Sequence, residues 1–319
     1  MNVELLVTDK IFYLFIIMLE GFVVAKLKVI TEEVNKGISK IVLNVTFPLL
    51  IFTTFATKDI SFQILVNCAY ILLFSYVSLF VLFSTGFLSS KLLKLKPFSS
   101  SVHILHTIHG NIAFLGFPII ASIYGSIGLL YASFFILAND SVLWTLGVYL
   151  LNKNSDLKKH SNVFLHLVNP NIIALLLGIV IMLLQLKLPS KVLLPFEDVG
   201  HVTIVLSMIY IGATLSYIKL ERIVKNIHVI VLTFNKLLLI PILLLFVFKA
   251  IMLLFHLNIE NIALSIVIIE VSMPAMTTIA ILAKEYNSDY IQATENILIT
   301  TIASIFSIPF VIYLIHKFF

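Results

Sequence analysis

The chain has 319 residues, of which 60% are hydrophobic and only 12% charged, about half the charged share of a soluble globular domain. A mean hydropathy of +1.11 excludes a water-soluble fold, because so much apolar surface left facing water drives aggregation. The formal net charge of +5 does not mark nucleic-acid binding, since the basic residues sit in short loops between apolar runs, where membrane topology places them.

A helix that crosses a bilayer needs about 20 apolar residues. The first apolar run, 11–29, carries Glu20 and Lys26 and no small-residue cleavage motif, so it reads as a retained span rather than a signal peptide. A short run at 41–56 follows, then 63–88, 100–123 and 127–151. After the polar stretch Asn152 to Leu167 come a short run at 170–186, then 199–217, 229–255, 262–283 and 291–315. Pro48, Pro170, Pro241 and Pro309 read as kinks or helix starts within these runs. The single cysteine, Cys68, allows no intrachain disulfide.

Ten spans result, and the loop charges support the count. One side collects Lys26, Lys28, Lys36, Lys40, Lys91, Lys94, Lys96, Lys153, Lys158, Lys159, Lys219, Arg222, Lys225 and Lys284. The other holds Lys10, Lys58, Lys187, Lys191, Lys249 and Lys317. Positive loops stay in the cytoplasm, so both termini are expected outside, in the plasma membrane.

Ten divides into five and five, and an odd half enters the membrane from the opposite side, as in inverted-repeat transporters. The expected organisation is a first five-helix repeat over 1–151, a cytoplasmic linker over 152–169 and a second, inverted repeat over 170–319. Pro118 and Pro274 lie 156 residues apart, and Tyr124 and Tyr286 lie 162 apart, in keeping with such a repeat.

The fourth and ninth spans carry Gly110–Asn111 through Gly116 and Pro118, and Glu270 through Pro274 and Thr278. Proline and glycine break a helix, and at membrane depth a break persists only where it lines protein or a cavity. A matched pair of breaks is the sequence mark of a transporter site. The candidate substrate-binding residues are therefore Asn111, Gly116, Pro118, Ser272, Met273, Pro274 and Thr277. Half-helix N-termini favour anions, so a carboxylate is the expected substrate. Asn111 either donates its amide to it or satisfies backbone groups opened by the break.

Ionisable residues inside spans are costly and usually functional. Glu270 could hold Na⁺ or carry a proton. Asp140, after Asn139, is the second coupling candidate, with a structural pairing as its alternative. Lys236 either snorkels to the interface or acts as a counter-ion. Glu20 and Glu295 read as residues near polar regions or paired with lysines. His103, His106 and His109 share a helix face, but no cysteine or carboxylate completes a metal set, so interfacial or pore-facing histidines are expected and no metal. HExxH, GxSxG and P-loop motifs are absent, so neither an enzyme nor an ATP-driven pump is expected.

Five strings carry a family resemblance: Asn44-Val-Thr-Phe-Pro48; Asn111-Ile-Ala-Phe-Leu-Gly-Phe-Pro118 with Tyr124-Gly125; Asn169-Pro170-Asn-Ile-Ile-Ala174 with Gly178; Lys236-Leu-Leu-Leu-Ile-Pro241; and Met273-Pro274 with Ala283-Lys-Glu-Tyr286. In order and spacing they resemble the auxin efflux carrier family of permeases, and the short middle loop fits its bacterial malonate- and malate-type members. The resemblance implies a fold related to bile-acid symporters. Spans one, two, six and seven would form a scaffold and a homodimer surface, and spans three to five and eight to ten a moving transport domain. The broken fourth and ninth spans would cross beside the bound organic anion, and transport would follow an elevator mechanism. No cofactor beyond a coupling Na⁺ or H⁺, and no partner beyond the anion, the bilayer and a second copy, is expected. A membrane receptor that binds the anion without net transport is the alternative, and a channel is the third.

Overall fold

The computed structural model describes residues 3–59, 61–153, 169–217 and 226–319. The expected linker, 152–169, lies almost wholly outside them. The described residues are helical, with no strand among them. The helices are α1 (Val3–Lys26), α2 (Glu32–Ile41), α3 (Phe47–Ala56), α4 (Phe62–Leu92), α5 (Pro97–Ile108), α6 (Phe117–Val142), α7 (Val148–Lys153), α8 (Pro170–Leu183), α9 (Ser190–Ser216), α10 (Ile227–Phe234), α11 (Ile240–Phe255), α12 (Asn261–Val271), α13 (Thr277–Glu285) and α14 (Tyr290–Phe318).

Local chemistry sets several starts. Asn169 accepts from the N–H groups of Asn171 and Ile172, each at 3.0 Å, and Pro170 follows at the first position, where its missing N–H costs nothing. Asn226 caps α10 and Asp289 caps α14 in the same manner.

Pro48, Pro118 and Pro241 each stand two residues beyond a π-helical turn, at Val42–Thr46, Ile112–Gly116 and Asn235–Leu239. A proline ring clashes with the carbonyl four residues back and offers no N–H. A wider turn before it absorbs both faults. Phe47 N–H accordingly bonds Val42 O, and Ile240 N–H bonds Asn235 O. The expected kinks at Pro48 and Pro241 take this form.

Among the described residues, six helical stretches are long and apolar enough to cross a membrane: Glu32–Ala56, Phe62–Leu92, Ile112–Lys153, Ser190–Ser216, Ile227–Phe255 and Tyr290–Phe318. Two shorter apolar helices are Pro170–Leu183 and Asn261–Val271. The Ile112–Lys153 stretch, at 42 residues, would run about 63 Å if straight, twice the hydrocarbon thickness. It is broken at Gly125, whose φ of 61° and ψ of −147° are not helical. Only glycine adopts that backbone readily, and it lies within the Tyr124–Ser126 turn expected between two spans.

The chain forms two compact units. The first comprises Met1–Ala69, Ala113–Phe134 and Val168–Ile218. Within it α1 lies against α9 at glycine contacts. A Cβ placed on Gly212 would stand 1.8 Å from Met18 O, and one on Gly21 would stand 2.4 Å from Ile209 O. Phe47 and Phe117 meet edge to face at 4.6 Å in its core. Asn67 donates to the Tyr131 hydroxyl at 2.8 Å, fully buried.

The second unit comprises Tyr70–Ile112, Phe135–Leu167 and Lys219–Phe319. One apolar cluster joins α5, α7, α13 and α14 through Val102, Leu105, Leu151, Ile279, Ala283 and Ala293. Phe74 and Phe248 pack at 4.5 Å elsewhere in the unit. The fourth expected span is thus divided: its first half belongs to the second unit, and Ala113–Phe134 groups with the first.

Candidate functional site

Two helices of the second unit end at matching points. α5 stops at Ile108 and α12 at Val271. Between α12 and α13 the chain is extended, and it pairs with the segment after α5 in an antiparallel bridge, Gly110 to Ala275. Asn111 N–H donates to Pro274 O at 2.7 Å, and Met276 N–H donates to His109 O at 3.2 Å. This bridge satisfies backbone groups that no helix supplies, as burial in a membrane protein demands.

Gly110 is required at the crossing. A Cβ there would lie 2.8 Å from Met273 Cβ and 3.3 Å from the carbonyl oxygens of Glu270 and Met273. Gly110→Val should therefore cost about 1–3 kcal/mol through overpacking. A lowered melting temperature with loss of uptake in proteoliposomes is the expected result. Wild-type uptake in this variant would mean that the close approach is dispensable.

Side chains brace the bridge from several helices. Ala275 N–H donates to Thr300 Oγ1 at 3.0 Å. His106 Nε2 meets Met276 O at 3.2 Å, and its Nδ1 meets Asn296 Nδ2 at 3.1 Å. A carbonyl oxygen can only accept, so His106 carries its proton on Nε2 and accepts from Asn296 on Nδ1. His109 Nδ1 meets Asn139 Oδ1 at 2.8 Å, and Asn139 Nδ2 donates to Asp140 Oδ1 at 3.2 Å. Lys236 Nζ donates to Thr107 O at 3.0 Å and reaches Ile108 O at 3.5 Å.

Asn111 is buried beside the bridge, where its backbone N–H is held by Pro274 O. Ser272 spends its hydroxyl on Ile269 O of its own helix, at 2.7 Å. Met273 packs on Gly110, Pro274 supplies the bridging carbonyl, and half-buried Thr277 opens α13. Gly116 and Pro118 are buried in the first unit, ending the π-helical turn and opening α6. Glu270 is 1% exposed, and neither carboxylate oxygen has a partner among the described residues. Asn139 and Asp140 adjoin the bridge through His109.

Three expectations change. Lys236 does not snorkel: it is fully buried, turned inward on the π-helical turn Asn235–Leu239. The three histidines are buried rather than interfacial, and each has its own partner, His103 Nε2 on Ser89 Oγ at 2.8 Å. Among the described residues no three His, Cys, Asp or Glu side chains converge on a metal. Glu295 accepts from Asn226 Nδ2 at 3.3 Å rather than pairing with a lysine there.

Asn296 and Thr300 also carry a signal in the sequence. Gln292, Asn296, Thr300 and Ser304 recur every four residues along α14, and all four are buried. A polar stripe at helical spacing in an apolar helix marks the face turned away from lipid.

A family described as membrane transport protein matches residues 6–165 and 158–312. The chain is 26% identical over 306 residues to the uncharacterized transporter YfdV of Escherichia coli (strain K12), covering 93% of this chain and 94% of the relative. It is 25% identical over 310 residues to an uncharacterized transporter of Methanothermobacter thermautotrophicus, covering 95% and 96%. Against the uncharacterized transporter MJ1031 of Methanocaldococcus jannaschii it is 27% identical over 216 residues, covering 65% and 68%. The chain is a multi-pass membrane transport protein rather than an enzyme, and it belongs to the membrane transport protein family, that of the auxin efflux carriers.

Proposed function

We propose that the chain is a secondary transporter of small organic anions, mono- or dicarboxylates, working in the plasma membrane with both termini outside. Ten helices in two inverted five-helix repeats would carry an elevator-type movement. The first, second, sixth and seventh spans, here α1 to α3 with α8 and α9, would serve as scaffold and homodimer surface. The anion would bind beside the crossing of the two broken helices, at Asn111, Ser272, Met273, Pro274 and Thr277, with Gly116 and Pro118 shaping the half-helix that follows Asn111.

The observation that carries this reading is the bridge at Gly110 and Ala275, formed where two broken helices end, with Asn111 buried next to it. The Asn111 side-chain amide is a donor that a carboxylate oxygen can accept from. The N-terminus of α13 adds free N–H groups of favourable polarity. Glu270 would take the coupling H⁺ or Na⁺, with Asn139 and Asp140 as a second polar station beyond His109.

The test is a thermal-shift screen of malonate, malate and aromatic carboxylates, with and without Na⁺, followed by uptake of labelled hits into proteoliposomes. At least one carboxylate should raise the melting temperature and be transported. Asn111→Ala should reduce uptake about tenfold or more, the worth of a hydrogen bond to a charged group, while expression and melting stay near wild type. A folded protein that moves no carboxylate would sink the proposal. Saturable binding without counterflow would point to a receptor.

A further inference from the structure

Lys236 plays no part in the reading above, and its surroundings are unusual. It is fully buried on the π-helical turn Asn235–Leu239. No carboxylate among the described residues is paired with it. Its ammonium instead meets the carbonyl oxygens of Thr107 and Ile108.

Those two carbonyls are vacant for a definable reason. In a continuing helix Thr107 O would accept from Asn111 N–H, and Ile108 O from Ile112 N–H. Here Asn111 N–H goes to Pro274 O across the bridge, and Ile112 N–H goes to Gly110 O. The break that creates the crossing therefore strips the end of α5 of its donors. A buried helix end left so is costly, and its partial negative charge calls for a cation. In carriers with broken helices, unwound carbonyls and half-helix C-termini are where a coupling cation sits.

We propose that Lys236 is a built-in cation: its ammonium occupies the cation position at the C-terminal end of α5, so this side of the crossing takes no ion from solution. The neighbouring histidines do not supply that charge: His106 holds the neutral arrangement described above, and His109 spends its Nδ1–H on Asn139 while its buried Nε2 has no partner among the described residues to hold a second proton. The nearby carboxylate, Asp140, is engaged by Asn139. Any coupling ion of the proposed transport must then bind elsewhere in the unit. The inference concerns occupancy of a cation position and stands whether or not the chain proves to carry carboxylates.

The experiment uses the full-length protein in detergent and reads thermal unfolding in sodium, choline and n-propylammonium chloride at equal ionic strength. Wild type should melt at one temperature in choline and n-propylammonium. Lys236→Met, which keeps the stem and removes the charge, should melt about 5 °C lower. Lys236→Ala should melt lower still, and n-propylammonium, which fits the vacated stem and offers an ammonium, should restore most of the loss where choline does not. A purely structural packing role would not produce that selectivity. Lys236→Met melting with wild type would overturn the proposal, as would a folded Lys236→Ala that n-propylammonium leaves unchanged. If Lys236→Ala does not fold, Lys236→Arg decides. A folded arginine variant beside a failed methionine variant supports a required cation, and failure of both overturns it in favour of packing.

Discussion

Glu270→Gln should leave a folded protein whose transport no longer responds to a cation gradient. Glu270 stands one residue before the end of α12, is 1% exposed, and has both carboxylate oxygens without a partner among the described residues. An ionised carboxylate in such a place costs several kcal/mol unless paired. A bound proton or a bound cation relieves that cost, and either makes the residue a coupling station. Glutamine keeps the volume and abolishes the charge. Melting should therefore shift by no more than a few degrees, since the substitution removes no ion pair.

The functional effect should be larger. A tenfold gradient of one coupled monovalent cation stores about 1.4 kcal/mol and supports about tenfold accumulation. Glu270→Gln should forfeit that accumulation in proteoliposomes while substrate exchange continues. Imposing Na⁺ and pH gradients separately identifies the ion in wild type. Unchanged dependence on both gradients in the variant would remove Glu270 from the mechanism.

The largest loss of stability is expected at Gly212. Its Cβ would stand 1.8 Å from Met18 O and 2.8 Å from Phe22 N. Both are backbone atoms of α1, which cannot step aside as the end of a side chain could. Gly212→Ala must then separate α1 from α9 along much of their shared length. In a bilayer, helix association rests on such close packing by small residues, and overpacking costs about 1–3 kcal/mol, occasionally more. A melting temperature lowered by about 5 °C or more is the expected result. Gly21→Ala meets Ile209 O in the same helix pair, so the double variant should fall short of the sum of the two losses. Gly37→Ala is the control: nothing lies within 4 Å of its added Cβ, and α2 should be unchanged or slightly firmer. Equal melting of Gly212→Ala and Gly37→Ala would contradict the packing of α1 on α9.

Membrane residence, the start at Asn169–Pro170, the turn at Gly125 and the interruptions near Asn111 and Pro274 were all legible in the chain. Each depends on a local property: apolar run length, a capping side chain, a φ only glycine tolerates, a missing proline N–H. The sequence places the break around Asn111 to Pro118, whereas α5 already ends at Ile108. Proline spoils the turn that precedes it, and here that strain is taken up by the π-helical turn Ile112–Gly116, leaving Gly110 as the true crossing point.

What tertiary structure alone decided is which groups find partners. Thr107 and Lys236 are far apart in the chain, as are Gly110 and Ala275, and no spacing rule links residues at such separations. Lys236 looked like a residue reaching for the interface, and folding buries it on two orphaned carbonyls. Asp140 and Glu270 looked alike as carboxylates inside apolar runs, yet one is engaged by Asn139 and the other has no partner among the described residues. Composition and periodicity report how a segment meets its solvent, whereas the fate of a buried charge depends on what the rest of the chain brings to it.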